Sequence, residues 1–162
     1  MEEVFIGGSR SINSIPPAVT LSLDALIGSK NSFLIGDAKG VDTAIQIYLY
    51  KKSYKDVTIY HMSGPPRNNI GGWTTKRVLL PENWVPRSEY FGLKDIQMAK
   101  DCSFGIMVWD GFSSGSYRNI KNLLDLNKES WVYHKPKDQM VLISTKDQLS
   151  NLIRNKSKEV IR

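Results

Sequence analysis

The feature that most constrains the fold of this chain is an alternation of short apolar runs with amphipathic stretches. Runs rich in β-branched or aromatic residues lie at 4–6, 32–35, 57–61, 104–109, 131–134 and 140–143. Because they are continuous rather than alternating, they are typical of strands buried on both faces of a sheet. Helical patterns lie between them at 19–27, 41–49, 89–101 and 116–126, and a capping box at Thr145 and Gln148 predicts a last helix.

Strands that alternate with helices form right-handed crossovers and a mostly parallel sheet. We therefore predict an α/β fold, a doubly wound domain of about five to six strands with helices on both faces, formed by residues 1–162. The segment 63–87 breaks the alternation because glycines and prolines are dense there, and we predict an irregular loop. Its Trp73 and Trp84 either stack on a ligand or pin the loop to the core, and the sequence leaves both readings open.

Composition narrows the class of protein. The 162 residues are 41% hydrophobic and 23% charged, which is ordinary for one globular domain. No apolar run approaches the roughly 20 residues of a membrane span, no signal-peptide pattern is present, and Cys102 is the single cysteine, so we expect a cytoplasmic protein without contact with membranes. A net charge of +6, partly in a basic tail at 155–162, indicates either an anionic partner or simply a solvated basic surface.

Three glycine-bearing turns directly follow predicted strands, at 7–10, 36–40 and 110–116. In a parallel sheet all three lie at the carboxyl edge, where open α/β folds bind ligands, and each precedes a helix whose N-terminal N–H groups attract anions. We therefore expect the three turns to converge on one crevice. Neither GxGxxG after the first strand nor GxxxxGK[ST] occurs, which argues against a standard dinucleotide site or a P-loop.

The motifs in these turns, Ile-Gly-Gly-Ser-Arg at 6–10, Gly-Asp-Ala-Lys-Gly-Val-Asp at 36–42 and Trp-Asp-Gly-Phe-Ser-Ser-Gly-Ser at 109–116, resemble the SLOG superfamily. That superfamily includes YspA- and YpsA-like proteins, the lonely-guy phosphoribohydrolases and the Smf/DprA proteins. With the stretch 94–102, the chain resembles the small stand-alone members most closely. Over roughly 4–134, the resemblance implies a Rossmann-like domain that binds a nucleotide or nucleotide-derived ligand as a sensor or nucleotide-processing protein, often as a homodimer.

The same resemblance implies two alternatives to simple binding. One is an N-glycosidic-bond hydrolase or nucleoside deoxyribosyltransferase, and the other, less favoured, is a single-stranded DNA binder of Smf/DprA type. Phosphoribohydrolases carry Pro-Gly-Gly-x-Gly-Thr-x-x-Glu in the third turn, whereas this chain has Ser116 for the threonine and Asn119 for the glutamate. An enzyme acting at ribose C1′ needs a carboxylate near the reacting carbon, and Asp95 and Asp110 are our catalytic candidates, with Asp37 also available.

The remaining expectations concern binding residues and their alternatives. Asp42 is either a ligand-loop residue or only the N-cap or first-turn acid of its helix. Asp37 either binds a hydroxyl or caps a turn, and Arg10 and Lys39 either bind phosphate or lie at the surface. We expect no cofactor and no metal, a buried Cys102, and packing roles for His61 and His134. The ligand-binding candidates are Gly8, Ser9, Arg10, Gly36, Asp37, Lys39, Gly40, Asp42, Gly111, Ser113, Ser114, Gly115, Ser116 and Asn119.

Overall fold

Strands and helices alternate along almost the whole chain in the computed structural model, which describes the backbone of residues 1–161 and the side chains of residues 1–154. The side chains of the predicted basic tail, 155–162, lie outside the described residues. The elements are β1 (Glu3–Gly8), α1 (Pro17–Gly28), β2 (Ser32–Gly36), α2 (Val41–Lys51), β3 (Val57–His61), β4 (Thr74–Arg77), α3 (Arg87–Tyr90), α4 (Gly92–Asp101), β5 (Phe104–Trp109), α5 (Ser114–Asp125), β6 (Ser130–His134), a 3-10 turn (Lys135–Lys137), β7 (Gln139–Ile143) and α6 (Lys146–Ile161).

The strands form one sheet in the order β4-β3-β2-β1-β5-β6-β7. Every neighbouring pair is parallel except β6 and β7, which are antiparallel. The chain order therefore reverses at β1, which lies between β2 and β5. In open α/β sheets, ligands bind at such a reversal, outside the carboxyl ends of the two strands involved. The predicted mostly parallel α/β fold is confirmed, and its switch point lies between the first and third glycine-bearing turns.

Two hydrophobic cores, one on each face of the sheet, hold the helices. Successive side chains of a strand point to opposite faces, so Ile6 of β1 belongs to the first core and Phe5 to the second. The first core contains residues of α1 and α2, among them Leu23 and Ile45, and the second contains residues of α4, α5 and α6, among them Met98. Helices thus cover both faces, as the double winding requires.

The prediction of an irregular loop over 63–87 was wrong for residues 74–77. These residues form β4, a parallel edge strand paired with β3, which brings the sheet to seven strands rather than five or six. All four residues are exposed and two are charged. The sequence therefore carries no apolar run there, and backbone pairing at an edge strand needs none.

Helix boundaries differ from the predictions by a few residues. The helix expected over 89–101 is two helices, because α3 ends at Tyr90 and α4 begins at Gly92, a residue that disfavours helix interiors. The helix α5 begins two residues earlier than expected. The capping box is confirmed, since the Gln148 N–H donates to Thr145 Oγ1 at 3.2 Å and the Thr145 N–H donates to Gln148 Oε1 at 3.0 Å.

The two tryptophans of the 63–87 segment have different surroundings. Trp73 is buried in the first core and its indole Nε1–H donates to the backbone oxygen of Tyr54 at 2.9 Å. Trp84 is 85% exposed. Trp73 therefore pins the segment to the core just before β4 begins, the second of the two readings left open by the sequence.

Replacing Trp73 with phenylalanine is expected to lower the free energy of unfolding by about 1.5 kcal/mol, because one buried hydrogen bond and part of a buried ring are lost. Urea denaturation measures this change. Trp84→Phe is the matched control, and we expect it to alter stability by less than about 0.5 kcal/mol because that side chain is exposed. Equal effects of the two substitutions would contradict the anchoring role of Trp73.

Candidate functional site

A cavity of about 520 Å³ opens where β1 and β5 end. Its lining comes from the turn after β1, the beginning of α2, the beginning of α4, and the turn and first residues of α5. The volume lies within the range of roughly 300–1,000 Å³ that small-molecule sites occupy. The first and third glycine-bearing turns both line this cavity. The second turn, at 36–40, contributes only Ala38, and Asp42 follows it at the beginning of α2.

Most of the sequence-predicted site residues line this cavity, and five do not. Lys39 is exposed to solvent outside the cavity, so the structure gives it no place in the site. Gly36, Asp37, Gly40 and Gly111 are also not among the residues that line the cavity. The candidates that line the cavity are Gly8, Ser9, Arg10, Asp42, Asp95, Asp110, Ser113, Ser114, Gly115, Ser116 and Asn119.

Ser9 holds the first and third turns together. Its side chain is fully buried, and its Oγ accepts the Asp110 N–H at 3.0 Å. The same Oγ lies 2.7 Å from Ser113 Oγ, which makes a hydrogen bond between residues more than a hundred positions apart in the chain. The two turns are therefore positioned against each other before any ligand arrives, which lowers the entropic cost of binding.

The carboxylate of Asp110 organises the third turn. Its Oδ1 accepts the N–H groups of Phe112 and Ser113 at 2.8 and 2.7 Å, and its Oδ2 accepts the Ser11 hydroxyl at 2.7 Å. Burial acts to raise the pKa of Asp110, but these hydrogen bonds outweigh it and hold the pKa below its usual range. Asp110 therefore has a structural role in this turn, and a catalytic role for it stays a prediction.

The N-terminus of α5 forms one wall of the cavity. Ser114, Gly115 and Ser116, the first three residues of the helix, all line the cavity, and the helix has no side-chain cap. The first N–H groups of a helix have no partner within the helix and attract anions. One turn further on, Asn119, which stands at the position of the glutamate in the phosphoribohydrolase motif, also lines the cavity.

The second turn supports the site from behind. Gly40 has a φ of +83°, and an added Cβ would lie 2.5 Å from the backbone of Arg10, so only glycine permits the first and second turns to approach this closely. Asp37 accepts both the backbone N–H and the guanidinium of Arg67, each at 2.8 Å. Burial acts to raise the pKa of Asp37, but the bonds from Arg67 lower it below its usual range. Asp37 thus docks the 63–87 segment onto the second turn.

Several cavity residues have no counterpart in the sequence-based candidate set. Arg67 stacks over the ring of Phe91 at 4.2 Å from its centroid, and both residues line the cavity. Phe91 is 45% exposed, whereas neither Trp73 nor Trp84 lines the cavity. The only signal for Arg67 was its place beside Asn68 in the predicted loop, and Phe91 lies in the helix break that the sequence did not show.

Lys94 is a buried cation in the same cavity. Its ammonium donates to the backbone oxygen of Phe91 at 2.9 Å and to Asp95 Oδ1 at 3.3 Å, and its side chain is only 5% exposed. Lys94 Cε and Asp42 Oδ2 lie 3.2 and 2.6 Å from the place of a Cβ on Gly36, so glycine is needed at that position. We name Asp42, Lys94 and Asp95 the charged triplet.

Asp42 is not the N-cap of α2 but the acidic residue of its first turn, one of the alternatives that the sequence left open, and it does not lie at the surface. It is the second residue of α2, it is buried, and its Oδ2 accepts the Ala38 N–H at 3.1 Å. Burial raises the pKa of Asp42 to about 7, with Asp95 and Asp37 acting in the same direction and Lys94 and the Ala38 N–H opposing them. A carboxyl group with such a pKa changes its charge near neutral pH.

The cavity carries more cationic than anionic side chains. Four cationic side chains line it together with three carboxylates, which are those of Asp42, Asp95 and Asp110. This excess and the helix N-terminus favour an anionic ligand. The cations are Arg10, Arg67, Lys94 and Arg118.

The histidines and the cysteine lie outside the cavity. His61 and His134 are buried, and His134 packs edge-on against Trp109 with 5.6 Å between ring centroids. Cys102 is buried in the second core, as predicted. Among the side chains that the structure describes, no group of three or more His, Cys, Asp or Glu residues is arranged to hold a metal ion.

Comparisons with known proteins identify no relative of this chain. No family model, no curated protein and no solved structure matches the chain. Over the described part of the chain, none of the helices combines the length and the apolar character that crossing a membrane requires.

Proposed function

We propose that this protein binds a nucleotide or a nucleotide-derived phosphate ester in the cavity, as its resemblance to the SLOG superfamily implies. The observation that carries the proposal is the junction at Ser9, which brings the turn after β1 and the N-terminus of α5 to one cavity. A strand end, a glycine-bearing turn and a helix N-terminus are the elements that bind phosphates in many open α/β folds.

The residues that line the cavity suggest where the phosphate and the base of such a ligand bind. The phosphate is placed at Ser114, Gly115 and Ser116, where backbone N–H groups and serine hydroxyls supply donors and Arg10 and Arg118 supply charge. Phe91 is half-exposed, with Arg67 over one face of its ring, and its remaining ring surface offers an apolar contact for a base.

Replacing Ser114 with aspartate is expected to weaken binding of nucleoside 5′-monophosphates at least tenfold, because a carboxylate at the start of α5 occupies the position of the phosphate and repels it. The fold should not suffer, since an acidic residue in the first turn of a helix is favourable. Isothermal titration calorimetry at low salt measures the change.

The matched control is Ser14→Asp, which adds the same charge at an exposed serine outside the cavity. This variant should bind as the wild type does. An unchanged affinity of Ser114→Asp, or equal losses in the two variants, would contradict phosphate binding at α5. Failure of every nucleoside monophosphate to bind the wild type would overturn the proposed function itself.

A hydrolase or transferase acting on the N-glycosidic bond is the second candidate, favoured by Asp95. One carboxylate oxygen of Asp95 pairs with Lys94, whereas the other has no partner among the described residues, and the side chain is 24% exposed in the cavity. Such an enzyme needs an available carboxylate beside the sugar. Chromatography for free base after incubation with nucleoside monophosphates separates the two candidates, because a binding protein releases none.

A further inference from the structure

The charged triplet lies in the cavity but has no role in the phosphate site proposed above. Asp42 belongs to the beginning of α2, and Lys94 and Asp95 to the beginning of α4, so two helices present these groups to one space. They belong to other helices than Ser114, Gly115 and Ser116, which suggests that they contact a different part of the same ligand.

Asp42 is incompletely satisfied by the protein. It is only 8% exposed, yet among the described residues its carboxyl group accepts one hydrogen bond, from the Ala38 N–H, and forms no ion pair within 4.0 Å. Buried carboxyl groups nearly always have several partners, since burial without them is costly. The free oxygen of Asp42 is therefore available to hydrogen-bond donors of a ligand in the cavity.

Asn119 independently points to a ligand in the same cavity. Its side chain is 7% exposed, it lines the cavity, and its amide forms no hydrogen bond with the residues that the structure describes. Asn119 Nδ2 lies 3.6 Å from the position that a Cβ on Gly7 would take, in the part of the cavity that Phe5 and Gly7 line, which we call its floor. A buried amide without partners is rare in folded proteins, and this one is accessible to a ligand that reaches the floor.

The chemistry of the charged triplet selects the kind of ligand group that fits it. When Asp42 is ionised, it and Asp95 each have a free acceptor oxygen, so the ligand must offer hydrogen-bond donors. The ammonium of Lys94 lies 3.3 Å from Asp95 Oδ1, and a second cation placed beside it would be repelled. Two neutral hydroxyl groups meet both conditions, since each donates to a carboxylate and one of them can accept the remaining N–H of Lys94.

We propose that Asp42 and Asp95 accept hydrogen bonds from the vicinal 2′- and 3′-hydroxyls of a ribose, and that the site therefore selects ribonucleotides over 2′-deoxyribonucleotides. This inference rests on the proposed nucleotide binding and adds the sugar as the feature that is recognised. A site built to bind a hydroxyl rejects an analogue without it, because its buried polar groups are then left without partners.

The test compares affinities for the four ribonucleoside 5′-monophosphates with those for their 2′-deoxy counterparts, measured by isothermal titration calorimetry. We expect the wild type to bind the preferred ribonucleotide at least tenfold more tightly than its deoxy form. In Asp42→Asn and in Asp95→Asn, the amide oxygen keeps the bond to Ala38 or Lys94, and the amide N–H₂ group takes the place of the oxygen that accepts the ligand hydroxyl. The variant at the carboxylate that contacts the 2′-hydroxyl should reduce the preference to less than threefold by weakening the ribonucleotide alone, and the other variant should weaken both nucleotides to a similar extent because both carry the 3′-hydroxyl.

Asp125→Asn is the control, because it removes a carboxylate at the far end of α5 that is 57% exposed, and it should keep the full preference. Equal affinities of the wild type for both sugars would overturn this inference and leave nucleotide binding intact. A preference that survives in both Asp42→Asn and Asp95→Asn would overturn the assignment to these residues. Absence of binding to every nucleotide would instead overturn the proposed function, and this inference with it.

Discussion

Replacing Gly8 with alanine is expected to lower the free energy of unfolding by about 3 kcal/mol or more. A Cβ on Gly8 would lie 2.4 Å from the backbone oxygen of Val108 and 2.7 and 2.8 Å from the two methyl carbons of Val41. Neither neighbour can move easily, since Val108 belongs to β5, which pairs with β1, and Val41 is the buried first residue of α2. The added methyl group therefore forces β1 away from β5 at the edge where the cavity opens.

Chemical denaturation of Gly8→Ala measures this loss, and Gly28→Ala is the control. Gly28 ends α1, and a Cβ there would meet nothing within 4 Å. The control should leave stability unchanged or raise it by up to about 1 kcal/mol, the helix preference for alanine over glycine. A Gly8→Ala protein as stable as wild type would contradict the close packing of β1 against β5 and α2 at this position.

Replacing Asp42 with asparagine is expected to stabilise the protein by about 2–4 kcal/mol at pH 8, with the gain disappearing near pH 3. Burial raises the pKa of Asp42 from 3.8 to about 7. Between pH 3.8 and pH 7 the carboxyl group of Asp42 is ionised in the unfolded chain but still protonated in the folded protein. The wild type therefore loses stability as the pH rises through this range, and the loss is complete above pH 7. Asparagine carries no titrating proton and can still accept the Ala38 N–H.

Denaturation of wild type and Asp42→Asn at several pH values between 3 and 8 tests this prediction. The groups that face Asp42 are Lys94, Asp95 and Asp37, and all three are present in both proteins. Asp125→Asn, which alters an exposed carboxylate, should differ from wild type by less than about 1 kcal/mol over the whole range. A stability difference for Asp42→Asn that does not vary with pH would contradict the raised pKa.

The pattern of apolar residues was sufficient to predict most of the fold. The runs at 57–61 and 104–109 coincide with β3 and β5 residue for residue, and the capping box at Thr145 marks the beginning of α6. The strand β4 was missed because an exposed edge strand needs only backbone pairing, which leaves no apolar signal. The break between α3 and α4 was missed as well, since a single glycine such as Gly92 is often tolerated within a helical pattern and does not by itself predict that the helix is interrupted.

The candidate site was predictable in its location and less so in its members. Glycine-bearing turns after strands indicated the carboxyl edge, and most of the residues in the first and third turns do line the cavity. Lys39, equally placed in its turn, lies outside, and Asp37 is occupied by Arg67. Whether a residue of a turn faces the cavity or the solvent depends on the segments packed against that turn.

The sequence by itself determined the alternation of strands and helices and the edge of the sheet at which the turns lie, because periodicity and glycine placement act between residues that are close in the chain. Only the tertiary structure decided that Ser9 meets Ser113, that Trp73 is an anchor, and that Asp42 and Lys94 are buried in one cavity. These outcomes depend on contacts between distant segments and on the low dielectric constant of a packed interior, where burial changes the charge that a side chain can carry.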